Sequence, residues 1–249
     1  MGGSQVWALK LYVKFVSENL CGIYGVSRRP WACGMIRQAS SGFFQHQGDI
    51  MAITKLIALH GVGASGEDFA GLSDAWSQRI PGFKAVSPDA PYPFDGGGMG
   101  RQWFSIQGVT PANRQERVIA ARPAFDTVLA EAIQALEAAE DGSDLALLGF
   151  SQGSIMALDA VASGRWRPAV VLAFSGRLTG PVLLPNGKTR ILLTHGAADP
   201  MIPCSESEAA AQAFESAGYQ TALRIEPGLG HGISPVGAEN ALRFLQSLI

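Results

Sequence analysis

The chain has 249 residues, of which 47% are hydrophobic and 16% charged, and its formal net charge at pH 7 is −2. An average soluble protein has about 25% charged residues, so charge is sparse, and there is no excess of Lys and Arg with which to bind nucleic acid or another polyanion. The length suits one α/β domain or two small ones, and it is sufficient for a core that needs neither disulfides nor metal ions.

Residues 1–50 differ in charge from the rest of the chain. They contain five basic and two acidic residues, whereas residues 51–249 have an excess of acidic ones. An acid-poor start that contains Arg is typical of targeting peptides. Three interpretations compete: a poorly ordered or wrongly assigned upstream extension with Met51 as the true start, a targeting or membrane-surface helix, and an integral part of the fold. We favour the first and predict a catalytic domain over residues 51–249.

From Met51 onward, short apolar runs alternate with longer amphipathic ones. The short runs predict buried strands at residues 53–59, 84–87, 145–150, 169–174, 191–194 and 221–225. The longer runs have apolar residues at three- and four-residue intervals and predict helices at residues 67–79, 113–139, 152–163, 205–217 and 237–248. A glycine-rich segment, residues 91–100, is predicted to lack regular structure.

This alternation predicts the fold class. Strands that are apolar throughout need both of their faces covered, as in a parallel sheet between two layers of helices. We therefore expect an α/β fold of three layers, with a mostly parallel central sheet and helices on both faces. In such folds, sites form at the carboxyl ends of the strands.

Cysteine usage and hydropathy bear on the compartment. The three cysteines, Cys21, Cys33 and Cys204, have no zinc-ligand spacing and cannot form a disulfide framework, so we expect a reducing compartment, the cytoplasm. The longest segment without Asp, Glu, Lys or Arg is residues 145–158, which is shorter than the roughly 18 apolar residues of a membrane helix. No integral membrane span is predicted.

The strongest chemical motif is Gly149-Phe150-Ser151-Gln152-Gly153, between a predicted strand and a predicted helix. A G-x-S-x-G in this position is typical of a nucleophile elbow, a strained turn in which a side chain at either glycine would clash with the backbone. The serine hydroxyl is then exposed at the edge of the sheet. Ser151 is the predicted nucleophile.

A serine nucleophile needs a base, usually a histidine oriented by a carboxylate. His60 and His195 each end a strand in a His-Gly step and are predicted to be structural, with hydrogen bonds to the backbone. His231 lies in a glycine-rich loop between the last strand and the last helix, where the base is expected in the chain order Ser…Asp…His. Asp199, in the loop after the strand at 191–194, is the predicted orienting acid, and Glu226 is the alternative.

The loop after the first strand, His60-Gly61-Val62-Gly63, should supply one oxyanion donor. We expect the two donors to be the backbone N–H groups of Val62 and Gln152. The same loop fits G-x-G-x-x-G through Gly66, with Asp89 about twenty residues on, as in a dinucleotide-binding fingerprint. A nucleotide site would not explain the set of Ser151, Asp199 and His231, so we disfavour that interpretation.

Four apolar residues near these motifs are candidates for an acyl pocket: Trp103, Phe104, Met201 and Ile233. For each, ordinary packing is an equally good explanation. No motif calls for a metal ion or a cofactor, and we expect neither.

With these residues assembled, the region 51–249 resembles the phospholipase/carboxylesterase family of α/β-hydrolases, which includes the acyl-protein thioesterases. Five stretches carry the resemblance: residues 59–63, 87–91, 100–105, 149–154 and 194–200 with Gly230-His231. Residues 100–110 resemble a small bacterial esterase subgroup in particular. Ser105 stands where many members have Asp, and Ser154 where many have Gly.

The resemblance implies an α/β-hydrolase fold and a serine esterase with the same triad and oxyanion donors. We predict hydrolysis of carboxylic esters, or thioesters, of small or acyl-chain substrates through an acyl-serine intermediate. The alternatives are a thioesterase for acyl-protein or acyl-CoA-type substrates and, more remotely, a non-catalytic or nucleotide-binding α/β domain. The expected partner is a small-molecule ester and not nucleic acid. The sequence does not decide between a monomer and a homodimer.

Overall fold

A computed structural model describes residues 53–185 and 187–249. The predictions about residues 1–50 lie outside this part of the chain. The described strands are β1 (Lys55–Leu59), β2 (Lys84–Val86), β3 (Tyr92–Pro93), β4 (Arg101–Gln102), β5 (Leu145–Phe150), β6 (Val170–Phe174), β7 (Arg190–Gly196) and β8 (Thr221–Glu226). Six of them form one sheet in the order β2-β1-β5-β6-β7-β8, and every pair in it is parallel.

The described α-helices are α1 (Ala70–Ser77), α2 (Arg114–Leu136), α3 (Gln152–Ala162), α4 (Ser205–Ser216) and α5 (Pro235–Gln246). The first predicted helix is divided, because a short 3₁₀ helix (Gly66–Phe69) precedes α1. The last helix begins two residues earlier than predicted. Its N-cap is Ser234, whose Oγ accepts a hydrogen bond from Gly237 N–H at 2.7 Å, and proline is favourable in the first turn because its missing N–H would be unpaired there anyway.

Alternate residues of each strand enter two separate hydrophobic cores. Leu145 and Leu147 of β5 belong to the core on one face, with apolar residues of α2, α3 and α4. Ala146 and Leu148 belong to the core on the other face, with residues of α1 and α5. All six residues of β5 are buried. A strand covered on both faces explains the uninterrupted apolar runs, and the predicted three-layer α/β class is confirmed.

The prediction that residues 91–100 lack regular structure was wrong near the start of the segment, where β3 lies. Tyr92 and Pro93 pair with Gln102 and Arg101 in an antiparallel ribbon. The Arg101 guanidinium donates to Ala90 O at 2.8 Å and to Pro91 O at 2.7 Å. These bonds join the end of the segment to its beginning. Such side-chain contacts leave no periodic signal in the sequence.

Parallel pairing brings the loops after β1, β5, β6, β7 and β8 to one edge of the sheet. Leu59 is in register with Gly149, Phe150 with Phe174, and Gly196 with Glu226. The described helices include none that is long and apolar enough to cross a membrane.

Candidate active site

Ser151 occupies a strained turn between β5 and α3. Its φ of 52° and ψ of −113° lie in a region that costs a residue other than glycine about 1–3 kcal/mol. Its backbone N–H donates to Phe174 O, at the end of the neighbouring strand, at 2.9 Å. This hydrogen bond to the neighbouring strand helps to keep the backbone of Ser151 in its strained conformation.

The glycines on either side of Ser151 are required by close backbone contacts. A Cβ at Gly149 would lie 2.5 Å from Ser154 N, and a Cβ at Gly153 would lie 2.1 Å from Leu59 O. Real Cβ atoms do not approach backbone atoms this closely. The steric reason inferred from the sequence for both glycines is confirmed.

Ser151, His231 and Asp199 form one chain of hydrogen bonds. His231 Nε2 lies 2.9 Å from Ser151 Oγ, and His231 Nδ1 lies 2.7 Å from Asp199 Oδ2. An ionised carboxylate only accepts hydrogen bonds, so Nδ1 carries the hydrogen and Nε2 is left to accept the one from the Ser151 hydroxyl. The Asp199 side chain is fully buried, whereas that of His231 is 20% exposed, so a substrate can approach the ring while the acid stays away from water.

The Asp199 carboxylate is held in its ionised form. Its Oδ1 accepts from Met201 N–H at 2.8 Å and from Ile202 N–H at 3.0 Å. Burial raises the pKa of Asp199, but the hydrogen bonds from Ile202, His231 and Met201 together outweigh burial and lower the pKa below its ordinary value. An ionised Asp199 can stabilise the positive charge of a protonated His231.

The loop after β1 and the first turn of α3 include backbone N–H groups near Ser151 that have no acceptor among residues 53–185 and 187–249. The loop after β1 lies against the serine, since a Cβ built on Gly61 would be 3.4 Å from Ser151 Cβ. The N–H of Gly63 donates to Arg101 O at 2.8 Å, whereas those of Val62 and Gln152 have no acceptor among residues 53–185 and 187–249. Gln152 also begins α3, where the helix dipole is positive. These are the two N–H groups predicted as oxyanion donors.

His60 links the loop after β1 to Ala90 through both of its ring nitrogens. Its Nδ1 is 2.7 Å from Gly61 O, and its Nε2 accepts from Ala90 N–H at 2.9 Å. Burial lowers the pKa of His60, and the hydrogen bond to Gly61 offsets only part of that effect. The predicted structural histidine with backbone partners is confirmed at this position.

The four predicted pocket residues differ in their surroundings. Trp103 is fully buried, and Phe104 and Ile233 are nearly so, whereas Met201 is 53% exposed. The Nε1–H of Trp103 donates to His60 O, at the start of the loop after β1, at 2.9 Å. Ile233 lines a small cavity next to Gly61. Contact of these residues with an acyl group stays a prediction.

Sequence reasoning missed the surroundings of His195. Its Nε2 does bind a backbone group, Ile202 O at 2.8 Å, but it also lies 3.1 Å from Asp199 Oδ2. His195 and Asp199 are four residues apart in one strand-to-loop segment, and that spacing was the available signal. Glu226, the alternative acid, accepts from Ser234 Oγ at the start of α5, and Asp199 is the acid hydrogen-bonded to His231.

The dinucleotide-like glycines have a packing explanation. A Cβ at Gly66 would lie 1.8 Å from Ser87 O, and the Asp89 carboxylate accepts from Gly66 N–H at 2.8 Å. Asp89 thus binds the loop that a nucleotide phosphate would occupy. Among the described residues, no three His, Cys, Asp or Glu side chains are grouped to hold a metal ion.

Comparison with known proteins identifies the family of the chain. The family model described as phospholipase/carboxylesterase matches residues 47–249. Esterase YpfH of Escherichia coli (strain K12) is 36% identical over 195 residues, which cover 78% of this chain and 82% of that protein. Acyl-protein thioesterase 1 of Gibberella zeae is 25% identical over 211 residues, 77% of this chain and 88% of the thioesterase. The crystal structure of esterase PE8 superposes with a TM-score of 0.71 at 30% identity, covering 80% of this chain and 94% of PE8.

The fold, the elbow serine and its histidine define an α/β-hydrolase of the carboxylic-ester hydrolase class. The chain belongs to the phospholipase/carboxylesterase family. The family and the enzyme class predicted from the sequence are both confirmed.

Proposed function

We propose that Ser151, His231 and Asp199 form the catalytic triad of an esterase that works through an acyl-serine intermediate. The observation that carries the proposal is the hydrogen-bonded chain from Ser151 Oγ through both nitrogens of His231 to Asp199 Oδ2, at 2.9 and 2.7 Å. Those distances lie within the range in which a base can take a proton from a nucleophile.

In the first half of the reaction, Ser151 Oγ attacks the carbonyl carbon while His231 Nε2 takes the hydroxyl proton. The resulting tetrahedral intermediate collapses when His231 gives that proton to the leaving alcohol. A water molecule then attacks the acyl-serine while His231 Nε2 takes its proton, and the second tetrahedral intermediate collapses when His231 returns that proton to Ser151 Oγ, which releases the carboxylic acid. Asp199 holds the imidazole tautomer and stabilises the imidazolium in both halves.

The unpaired N–H groups of Val62 and Gln152 are proposed to bind the oxyanion. The support is that neither N–H group has an acceptor among the described residues, so both can donate to a substrate oxygen. A donor of this kind contributes about 3–4 kcal/mol to transition-state stabilisation. A side-chain substitution does not remove a backbone N–H group. The donors are therefore tested indirectly, by replacing side chains that fix the position of the backbone.

For the substrate, we propose a carboxylic ester of a small or acyl-chain compound, with Trp103, Phe104, Met201 and Ile233 as candidate contacts for the acyl group. No nucleic-acid partner is proposed. A thioester is the second candidate, supported by the 25% identity to acyl-protein thioesterase 1 of Gibberella zeae. The two are separated by comparing kcat/KM for an oxygen ester and a thioester with the same acyl group.

We propose the cytoplasm as the compartment. The support is that Cys204 forms no disulfide within the part of the chain that the structure describes and that the three cysteines of the sequence are too few for a disulfide framework. The boundary of the catalytic domain at residue 51 also stays a proposal, supported by the family match from residue 47 onward.

The deciding experiment replaces Ser151 with Ala. Hydrolysis of a short-chain chromogenic ester should fall to a rate no more than about 10³–10⁴-fold above the uncatalysed rate, because only binding and oxyanion stabilisation remain. A fluorophosphonate probe should label the wild type and not the variant. Ser73→Ala on α1 is the matched control. Undiminished hydrolysis by Ser151→Ala, or labelling that survives it, would refute the triad.

A further inference from the structure

His195 is a fully buried side chain that the reaction scheme above does not use. It is the penultimate residue of β7, next to Gly196, after which the loop that carries Asp199 begins. Its Nε2 faces two acceptors, Asp199 Oδ2 at 3.1 Å and Ile202 O at 2.8 Å. A ring nitrogen between two acceptors must carry the hydrogen, so His195 donates from Nε2 to both.

The other nitrogen of His195 also has a partner. Nδ1 lies 2.7 Å from Ser207 Oγ, in the first turn of α4, and Ser207 is itself fully buried. A hydroxyl can donate to a ring nitrogen that lacks a hydrogen. Ser207 Oγ also lies 3.5 Å from Gly176 O, but Nδ1 at 2.7 Å is the closer acceptor. With the hydrogen on Nε2, both ring nitrogens are therefore paired, and the Ser207 hydroxyl supports the tautomer that Asp199 requires.

The two oxygens of Asp199 have separate sets of partners. Oδ1 accepts the backbone N–H groups of Met201 and Ile202. Oδ2 accepts both histidine rings, His231 at 2.7 Å and His195 at 3.1 Å. A carboxylate has about four lone-pair sites, so all four are filled and rotation of the carboxylate would break bonds on both oxygens.

We propose that His195 is a positioning residue for the reaction: its Nε2–H holds Asp199 Oδ2 where His231 Nδ1 needs it, and Ser207 holds His195 in turn. This inference rests on the proposed triad. His195 acts through Asp199 and touches neither the substrate nor the attacking serine. Without it, Oδ2 keeps only His231 as a hydrogen-bond partner, and the carboxylate is held less firmly on the line between the ring and Ser151.

The test compares two replacements of His195. His195→Leu removes the donor while filling the buried space, and His195→Gln restores an N–H at a position close to that of Nε2. Thr189→Val is the matched control: Thr189 is buried just before the other end of β7, and its Oγ1 donates to Pro168 O at 2.7 Å. For each variant, kcat and KM are measured with a short-chain chromogenic ester, and the His231 Nδ1–H resonance is recorded by NMR.

His195→Leu should lower kcat by about 10- to 100-fold, as for outer partners that orient metal-bound histidines, and should leave KM unchanged. It should also shift the His231 Nδ1–H resonance. His195→Gln should recover most of the lost kcat. Thr189→Val should lower the melting temperature without changing kcat, which separates a loss of stability from a loss of positioning.

Wild-type kcat in a folded His195→Leu protein would overturn the inference, as would a His195→Gln variant that is as slow as His195→Leu. If His195→Leu does not fold, Ser207→Ala takes its place, with a smaller fall in kcat and a shifted resonance expected. An unchanged kcat and an unchanged resonance in Ser207→Ala would then overturn it. Ser151→Ala is assayed in parallel: if it is inactive while the His195 variants keep wild-type kcat, the inference fails and the proposed function stands.

Discussion

The side-chain amide of Gln152 binds the backbone on both sides of the peptide bond between Trp103 and Phe104. Its Oε1 accepts from Trp103 N–H at 2.7 Å, and its Nε2 donates to Phe104 O at 2.7 Å. Gln152 directly follows Ser151, so the residue whose N–H is the proposed oxyanion donor also holds the segment that carries two of the candidate pocket residues.

Replacing Gln152 with Leu should separate these two roles, because the backbone N–H remains while both side-chain bonds are lost. Two buried backbone groups would then lack partners, at a cost of about 1–3 kcal/mol each. We expect a lower free energy of unfolding in urea, together with a higher KM from a loosened segment. The control is Gln134→Leu on the exposed side of α2, which should change neither. A Gln152→Leu protein as stable as the wild type would contradict the prediction.

Asp199→Asn should leave the fold intact and nearly abolish activity. The amide can present an N–H to His231 and favour the wrong tautomer, and the imidazolium loses its charge partner. The corresponding change in a serine protease lowers kcat about 10⁴-fold, and we expect a loss of that order, measured at saturating ester. Asp141→Asn, at an exposed position, is the control. Less than a tenfold loss in Asp199→Asn would count against its role as the orienting acid.

The stability of the protein should fall as the pH drops through the mildly acidic range, partly because of His60. Burial lowers the pKa of His60 in the folded state, while an unfolded histidine titrates near about 6.5. Below that pH the unfolded chain binds a proton that the folded state excludes until the lowered pKa is reached, so the free energy of unfolding decreases.

His60→Gln should remove this component and flatten the dependence. The measurement is urea unfolding at about pH 7.5, 6.5 and 5.5, above the range in which ordinary carboxylates titrate. Thr189→Val, which changes no ionisable group, should keep the wild-type slope. An unchanged slope in His60→Gln would show that His60 does not contribute to it.

Gly153→Ala should be severely destabilising, because the added Cβ would lie 2.1 Å from Leu59 O and neither backbone segment can move without disturbing the sheet. We expect about 3 kcal/mol or more, the upper part of the range for overpacked sites. Gly232→Ala provides the comparison, since a Cβ there would meet nothing within 4 Å. Thermal unfolding of both variants checks this. Equal melting temperatures would contradict the steric argument for the elbow.

The sequence predicted the four central strands of the sheet well because they are buried on both faces. Runs such as 145–150 are apolar throughout, and the structure places strand β5 on the same residues. The ribbon of β3 and β4 was missed, since it depends on hydrogen bonds from one arginine side chain to two carbonyl groups. The division of the first helix into a 3₁₀ helix and α1 was missed for a similar reason, as Gly66 at its start is held by the carboxylate of Asp89.

The sequence alone determined the fold class, the elbow at Ser151 and the candidates for its base and acid, because periodicity, glycine spacing and chain order are local properties that can be read along the chain. Only the tertiary structure determined which side chains of the site are hydrogen-bonded to each other. Ser151 and His231 are 80 residues apart, and their 2.9 Å contact exists because parallel pairing brings the loops after β5 and β8 to one edge. The amide of Gln152 likewise meets Trp103 and Phe104, which lie 49 and 48 residues away, only in the folded chain. A hydrogen bond depends on distance and direction, and both are fixed only when the sheet and its covering helices have assembled.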